Sequence, residues 1–419
     1  MEMHPQGVPH IVLFGAGKSA TGLIDFLVRQ PVALTVVDAS LQAALSKTHG
    51  FSAHAVGLDV LSQAEERLAL VRSAAVVISL MPPLLHQLIA SDCLSEGRHL
   101  LTASYVDDAM RSMAPLVRDR GILFLCEMGL DPGIDHMSAM SMLDRLRGAS
   151  AEILAFRSHC GGLVAPSSDD NPWRYKISWN PRNVVLAGKA GARYREDGAE
   201  VALGYADLFD PSRLVTVPGL GPLAWYPNRD SLGYAPLYGL AAIPTFIRTT
   251  LRHPEFCAGW RSVIQLGLTD ETLSYQTDGL SLAEFYRGFG AAPDERLRFL
   301  GWSSSSLINR GLCSAADVLQ YALESYLPLA PSDRDMVVMM HEITYRLDGQ
   351  VQTDTATLIL EGQDAVHTAM ARTVGLPLGI AAMLILEGSL RLTGLHIPTL
   401  PEIYEPVLGR LAREGVRFI

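Results

Sequence analysis

His10-Ile11-Val12-Leu13-Phe14-Gly15-Ala16-Gly17-Lys18-Ser19-Ala20 is the stretch that decides the fold. Its apolar run reads as a short strand, His10–Phe14, and a helical pattern from Lys18 to Arg29 follows the glycines. In this G-x-G-x-x-A pattern Gly15 allows a tight turn and Gly17 lets a pyrophosphate approach the backbone. Small Ala20 lets the helix sit close to the strand, and the helix N-terminus, with Lys18 and Ser19, faces the phosphate charge. Such a turn is specific when an acid stands about 20 residues on, at the end of the next strand. Asp38 stands there, closing the apolar run Ala33–Asp38. A carboxylate at that place accepts from the ribose hydroxyls and repels a 2′-phosphate, so it favours NAD over NADP. Lys18 and Ser19 could still reach a phosphate. The embedded Gly-Lys-Ser is not a Walker loop, which needs a glycine five residues before Gly17, where Val12 lies in mid-strand. A tight turn with a surface aspartate and no cofactor is the plainer alternative.

Outward from this turn the chain keeps alternating. Phe51–Val56, Ala75–Leu80, His99–Thr102 and Ile122–Cys126 read as further strands, with helical stretches between them. Strands alternating with helices predict an α/β fold: βαβ units in a doubly wound parallel sheet of the Rossmann kind. Ligands of such sheets lie beyond the carboxyl ends of the strands. That places Ser79-Leu80-Met81-Pro82-Pro83 and Thr102-Ala103-Ser104-Tyr105 along the crevice, with Ser79, Leu80 and Ala103 as cofactor contacts. Pro82-Pro83 reads equally as a strand stop and helix start, and Tyr105 as a buried cap.

After Gly133 the alternation stops. Glu152–Cys160, Asn183–Leu186, Met336–Asp348 and Thr353–Glu361 look like strands, and His253 to Leu327 reads mostly helical. Two helices, Ala365–Val374 and Pro377–Glu387, precede a tail broken by Pro398, Pro401 and Pro406. The apolar face at Ile380, Met383, Leu384 and Leu386 predicts that these helices pack back on the first domain. The expected organisation is a dinucleotide domain over 1–130, completed by 375–419, and an α+β catalytic domain over 131–374 with a small helical insert near 253–328.

Composition excludes several classes. The 419 residues are 48% hydrophobic and 19% charged, enough for full-sized cores. A formal net charge of −10 argues against nucleic acid or an anionic membrane surface as partner. No uninterrupted apolar run of the roughly 18 residues a span needs appears. The best candidate, Ala74 to Ala90, is broken by Pro82-Pro83 and carries His86 and Gln87, so no membrane span is expected. The opening stretch from Met1 to Phe14 has no basic segment ahead of an apolar core, which predicts no secretory leader. Five scattered cysteines without a C-x-x-C pair fit a reducing compartment, and a cytoplasmic location is expected. No histidine spacing suggests a metal site. The apolar C-terminal half leaves a homodimer open.

The sixth strand ends in Gly129-Leu130-Asp131-Pro132-Gly133-Ile134-Asp135-His136. With this motif the chain resembles the saccharopine dehydrogenases of the L-glutamate-forming kind, the saccharopine reductases. His159-Cys160-Gly161-Gly162-Leu163, Tyr175-Lys176-Ile177-Ser178-Trp179, Tyr226-Pro227-Asn228-Arg229-Asp230-Ser231, Thr249-Thr250-Leu251-Arg252, Thr373-Val374-Gly375-Leu376-Pro377 and His396-Ile397-Pro398 follow in the family's order. The resemblance implies that a nicotinamide cofactor oxidises saccharopine and water releases L-glutamate and 2-aminoadipate 6-semialdehyde. It implies substrate contacts from Ser104, Tyr105, Arg229, Thr250, Leu251 and Arg252. Leu130 and Asp131 would line the nicotinamide side and Ser178 would lie near the cofactor. Tyr105, Asp131 and Cys160 would be the ionisable groups nearest the chemistry. Within the family, an acid at the Asp38 position goes with NAD and its absence with NADP. A fused lysine-ketoglutarate reductase half, present in the animal and plant forms, has no room in 419 residues.

The residues suit that substrate. Three carboxylates call for cations, and arginine forks match carboxylates bidentately, which fits Arg229 and Arg252. Arg229-Asp230 reads otherwise as a local surface ion pair. Hydrolysing an imine needs a base for water and an acid for the departing amine, roles open to Asp131, Tyr105 and Cys160. A free cysteine is otherwise a small buried hydrophobe, and His136 and His159 read as hydrogen-bonded structural groups. Two other functions are weighed: a carboxynorspermidine-type dehydrogenase, whose polyamine substrate would need carboxylates where arginines stand, and a dinucleotide-binding protein without catalysis.

Overall fold

In the computed structural model, which describes residues 7–290 and 293–419, the chain forms two compact units. One comprises Met1–Arg145 with Met370–Arg417, the other Leu146–Ala369 with Phe418–Ile419. Residues 1–6 of the stretch on which the leader expectation rests lie outside the described residues.

The first unit holds a seven-stranded sheet. Its strands are β1 (His10–Phe14), β2 (Ala33–Asp38), β3 (Ala53–Gly57), β4 (Val76–Ser79), β5 (His99–Thr102) and β6 (Leu123–Leu125), with a last short strand at Gly394–His396. The spatial order is Gly394–His396, β6, β5, β4, β1, β2, β3, and every neighbouring pair is parallel. All residues of β1, β4 and β6 are buried, the pattern of strands covered on both faces rather than of an alternating strand. The order reverses between β1 and β4, which opens a crevice beyond their carboxyl ends.

Helix Ala20–Leu27 follows β1, and a long apolar helix, Ala369–Leu386, packs on it. The fit depends on glycines. A Cβ on Gly22 would lie 2.5 Å from the Ala371 carbonyl oxygen, one on Gly375 2.4 Å from the Leu23 nitrogen, and one on Gly379 2.7 Å from the Phe26 ring. This corrects the expectation of separate helices at Ala365–Val374 and Pro377–Glu387: a single helix runs through Pro377. Tertiary packing over its glycine stripe outweighs the local preference of proline to break a helix. By length and composition this helix could cross a membrane, but most of it is buried inside the protein, as for a core helix.

The second unit is built on a mixed sheet ordered Leu214–Val217, Gly221–Pro227, Thr245–Arg252, Glu152–Val164, Asp335–Leu347, Gln350–Glu361. The ribbon Ala192–Glu196/Ala199–Leu203 hangs on Thr245–Arg252. Asp348 and Gly349, with φ of 51° and 79°, make the two-residue turn that joins the long antiparallel pair Asp335–Leu347 and Gln350–Glu361. Asn183–Leu186 is not a strand. Asn180 accepts a hydrogen bond from the Arg182 backbone N–H and caps a short helix, Pro181–Val185. The stretch read as helical holds helices at Pro254–Gln265, Leu282–Arg287, Glu295–Phe299 and Ala315–Tyr326, and also a small ribbon, Ser274–Gln276 with Leu312–Ser314. Its core is aromatic, with Trp173, Tyr175, Phe256 and Trp260 packed together.

Candidate active site

In the first unit the candidate residues gather at the carboxyl ends of the strands. Gly15 has φ of +105°, and a Cβ there would lie 2.9 Å from the Leu80 carbonyl, so only glycine lets β1 turn beside the end of β4. A Cβ on Gly17 would meet nothing within 4 Å: the turn is open on the side where a pyrophosphate approaches. Lys18 is exposed, Ser19 is half-buried, and Ala20 starts the helix. Asp38 is held by two backbone donors, Ala16 N–H to Oδ2 and Ser40 N–H to Oδ1, both 2.9 Å. Its carboxylate is thereby aimed across the mouth of the turn. These residues fit a bound nicotinamide dinucleotide.

Ser79, fully buried, ends β4, and Ala103, Ser104 and Tyr105, each half-buried, follow β5. Tyr105 donates its hydroxyl hydrogen bond to Asp131 Oδ1 at 2.9 Å. Asp131 lies in a loop knitted by its own backbone: Gly129 N–H donates to the Pro132 carbonyl and Ile134 N–H to the Gly129 carbonyl, each at 2.9 Å. A Cβ on Gly133 would fall 2.1 Å from the Gly129 oxygen, so the two glycines are what let this loop close. Leu130 is buried beside Asp131.

His136 is the hydrogen-bonded structural group expected of it, but the carboxylates that support these residues, Glu127 and Asp135, carry no signal that singled them out in the sequence. Buried Glu127 accepts from the Val106 N–H at 3.0 Å with Oε1, while Oε2 lies 2.8 Å from His136 Nε2. Asp135 Oδ1 accepts from the Gly133 N–H at 2.6 Å. The Tyr105 loop and the Asp131 loop are therefore tied together by one carboxylate. His86 is a second omission: it lies 2.8 Å from both Ser79 Oγ and Ser104 Oγ. A lone histidine on a helix has no spacing that marks it in the sequence.

In the second unit, Tyr226, Thr250, Cys160 and Met339 are register partners across four adjacent strands, so their side chains share one sheet face. Arg252, two residues after Thr250, is on the same face and 4% exposed. Its Nη1 donates to the Leu251 carbonyl at 2.7 Å, and its guanidinium carbon lies 5.4 Å from the Tyr175 and Phe256 ring centres. Its Nε has no hydrogen-bond partner, and no carboxylate pairs with it among the described residues. Burial works against its charge, but Tyr226, Tyr175, Cys257 and Cys160 around it favour the cation and raise its pKa. A buried, permanently charged fork without a counter-ion is a site for an anion.

The other candidates lie apart from that cradle. The Leu251 side chain points to the opposite face, in a core with Leu163, Leu223, Met336 and Val338. Ser178 is buried. Arg229 is exposed with φ of +53°, and Asp230 beside it pairs with Arg193 at 3.3 Å. His159 bonds Thr249 Oγ1 at 2.7 Å and Glu342 at 3.2 Å, also on the face opposite Cys160.

The parallel sheet, the turn at Gly15–Gly17 and the anchored Asp38 define a nicotinamide-dinucleotide-binding protein, here with a mixed-sheet unit carrying a buried anion-seeking arginine. Residues 11–125 match the saccharopine dehydrogenase NADP binding domain and residues 129–416 the saccharopine dehydrogenase C-terminal domain. The chain belongs to the saccharopine dehydrogenase family. It is 30% identical to the saccharopine dehydrogenase [NADP(+), L-glutamate-forming] of Schizosaccharomyces pombe, covering 98% of each. It is 32% identical to the mitochondrial alpha-aminoadipic semialdehyde synthase of Bos taurus over 97% of this chain and 47% of that protein; the chain spans about half the length of the animal and plant relatives it matches. The structure of apo saccharopine dehydrogenase (L-Glu forming) from Saccharomyces cerevisiae superposes with a TM-score of 0.87 at 29% identity, over 98% of this chain and 100% of that one.

Proposed function

We propose that the protein is an L-glutamate-forming saccharopine dehydrogenase, converting saccharopine, oxidised nicotinamide nucleotide and water to L-glutamate, 2-aminoadipate 6-semialdehyde and the reduced nucleotide. The observation that carries this reading is Arg252, a buried guanidinium with no carboxylate partner among the described residues. A substrate with three carboxylates supplies the missing counter-ion. A carboxynorspermidine-type substrate carries a single carboxylate beside its ammonium groups, so it suits the arginines of this chain less well than a tricarboxylate does.

When bound, the nicotinamide supplies the hydride acceptor. The chain's residues handle the protons. Hydride loss from the carbon that becomes the aldehyde, with loss of the nitrogen proton, leaves an imine. Water adds to that carbon, and collapse breaks the C–N bond as glutamate's amine takes a proton. Asp131 is the base for water, with its carboxylate oriented by the Tyr105 hydroxyl on Oδ1. Cys160, on the sheet face that bears Arg252, is the further proton carrier. Arg252 and Thr250 hold carboxylate, and exposed Arg229 can add a second fork.

We further propose that Asp38 makes NAD the preferred nucleotide. Its support is the anchoring by Ala16 and Ser40, which holds a negative charge where a 2′-phosphate would lie. The test follows reduced-nicotinamide absorbance with saccharopine and NAD or NADP in parallel, with product analysis. Glutamate and semialdehyde formation, faster with NAD, is the expected result. A protein that binds dinucleotide but turns over saccharopine with neither would refute the activity.

A further inference from the structure

The helix Pro83–Glu96 carries a histidine that the chemistry above does not use. His86 is 5% exposed and links the ends of two neighbouring strands: Nδ1 lies 2.8 Å from Ser79 Oγ at the end of β4, and Nε2 lies 2.8 Å from Ser104 Oγ just beyond β5. Distances alone do not say which atom donates, but the surroundings do. Ser79 is 0% exposed, and its side chain has no other hydrogen-bond partner among the described residues. A buried hydroxyl proton left unpaired is costly, so the Ser79 hydroxyl donates to Nδ1. The ring is then neutral with its proton on Nε2, and Nε2–H donates to Ser104 Oγ. Burial, opposed by the charge of Asp107, lowers the His86 pKa to about 4 and keeps the ring in this neutral form. Ser104 is half-buried at the carboxyl end of the sheet, beside Tyr105. Having accepted from His86, its hydroxyl keeps its own proton for a third partner.

We propose that His86 is a positioning residue for substrate: locked by Ser79 as the Nε2–H tautomer, it turns the Ser104 hydroxyl into a committed donor to a carboxylate oxygen of the bound substrate. An uncharged hydroxyl whose acceptor side is occupied suits a group that only accepts, as an ionised carboxylate does. The proposal rests on the saccharopine reading.

The test is a kinetic double-mutant cycle in the full chain with His86→Phe, Ser104→Ala and the double variant, beside the ¹⁵N spectrum of the His86 ring. Each single change should lower kcat/KM for saccharopine by roughly ten- to a hundredfold, mainly through KM, as expected for a hydrogen bond to a charged group. The double variant should be no worse than either single one, because both remove the same donor. The spectrum should show a bare Nδ1 and a protonated Nε2 from pH 8 to 5. Additive losses, an unaffected Ser104→Ala enzyme or a protonated Nδ1 would each overturn the proposal. Dinucleotide fluorescence titration reports whether His86→Phe folds; if it does not, Ser104→Ala and the ring spectrum decide. Failure of the saccharopine reading looks different: the wild-type protein itself shows no turnover, and the carboxylate assignment falls with it.

Discussion

Replacing Arg252 by methionine separates stability from function, because the two should respond in different directions. In the free protein the guanidinium has lost its hydration, which costs several kcal/mol for a buried ion. It recovers one hydrogen bond to the Leu251 carbonyl and contact with two rings at 5.4 Å, together worth about 2–5 kcal/mol. These nearly cancel, so an apolar side chain of similar length should change folding stability by no more than about 2 kcal/mol, with gain more expected than loss. With substrate bound, the same change strands a buried carboxylate without its partner, at about 3–5 kcal/mol. At about 1.4 kcal/mol per tenfold, that is a fall in kcat/KM of between a hundredfold and a few thousandfold. Lysine should rescue little of it, having no planar fork. Steady-state kinetics with saccharopine and thermal unfolding without ligand measure both halves. Saccharopine should raise the unfolding temperature of the wild-type protein and leave that of Arg252→Met unmoved. An Arg252→Met enzyme within threefold of wild-type kcat/KM would refute the reasoning; so would one that loses stability and dinucleotide binding together.

Asp38→Ala should lower kcat/KM with NAD by roughly tenfold or more and improve NADP, since it removes both a ribose acceptor and a charge facing the 2′-phosphate; an unchanged NAD/NADP ratio would show that the carboxylate does not reach the ribose. Gly22→Ala places a methyl 2.5 Å from the Ala371 oxygen, so helix Ala369–Leu386 must shift, at about 1–3 kcal/mol in urea unfolding. A Gly22→Ala protein with a wild-type midpoint would mean that the two helices are less closely packed than described. Stability should also depend on His86. The folded ring, with its pKa lowered by burial to about 4, stays neutral where the unfolded chain, near 6.5, takes up a proton. Its contribution is therefore complete above pH 6.5 and is lost as pH falls toward 4, by about 3 kcal/mol. His86→Phe should lose correspondingly less stability between pH 7 and pH 4, and equal losses in the two proteins would argue against a buried neutral ring.

The glycine turn, the alternating strands and Asp38 were legible in the amino-acid sequence because each is local. A strand, a turn needing φ above zero and a helix start follow one another within a dozen residues, and β1 and β2 begin and end where their apolar runs do. The Asp131 loop was legible as a motif. Where local signals were weak, the reading failed. Asn183-Val184-Val185-Leu186 is too short an apolar run to separate strand from helix, and the cap from Asn180 decided it. Pro377 argued for two helices until packing of Gly22, Gly375 and Gly379 made them one. The strands Gly221–Pro227 and Thr245–Arg252, which carry Tyr226 and Arg252, were not read as strands at all.

By itself the sequence determined which residue types are available: a phosphate turn, an acid for the ribose, a tyrosine, an aspartate, a cysteine and arginines in an acidic chain. Which of them act together follows from contacts formed when the chain folds. Folding put Leu251 in the core and Arg252 on the face with Cys160, because neighbours in a strand point to opposite sides. It left Arg252 buried without a carboxylate among the described residues, and it joined Ser79 to Ser104 through His86. Burial and hydrogen-bond partnership arise from contacts between residues far apart in the chain, and these are what turn an arginine into an anion site and a serine into a donor.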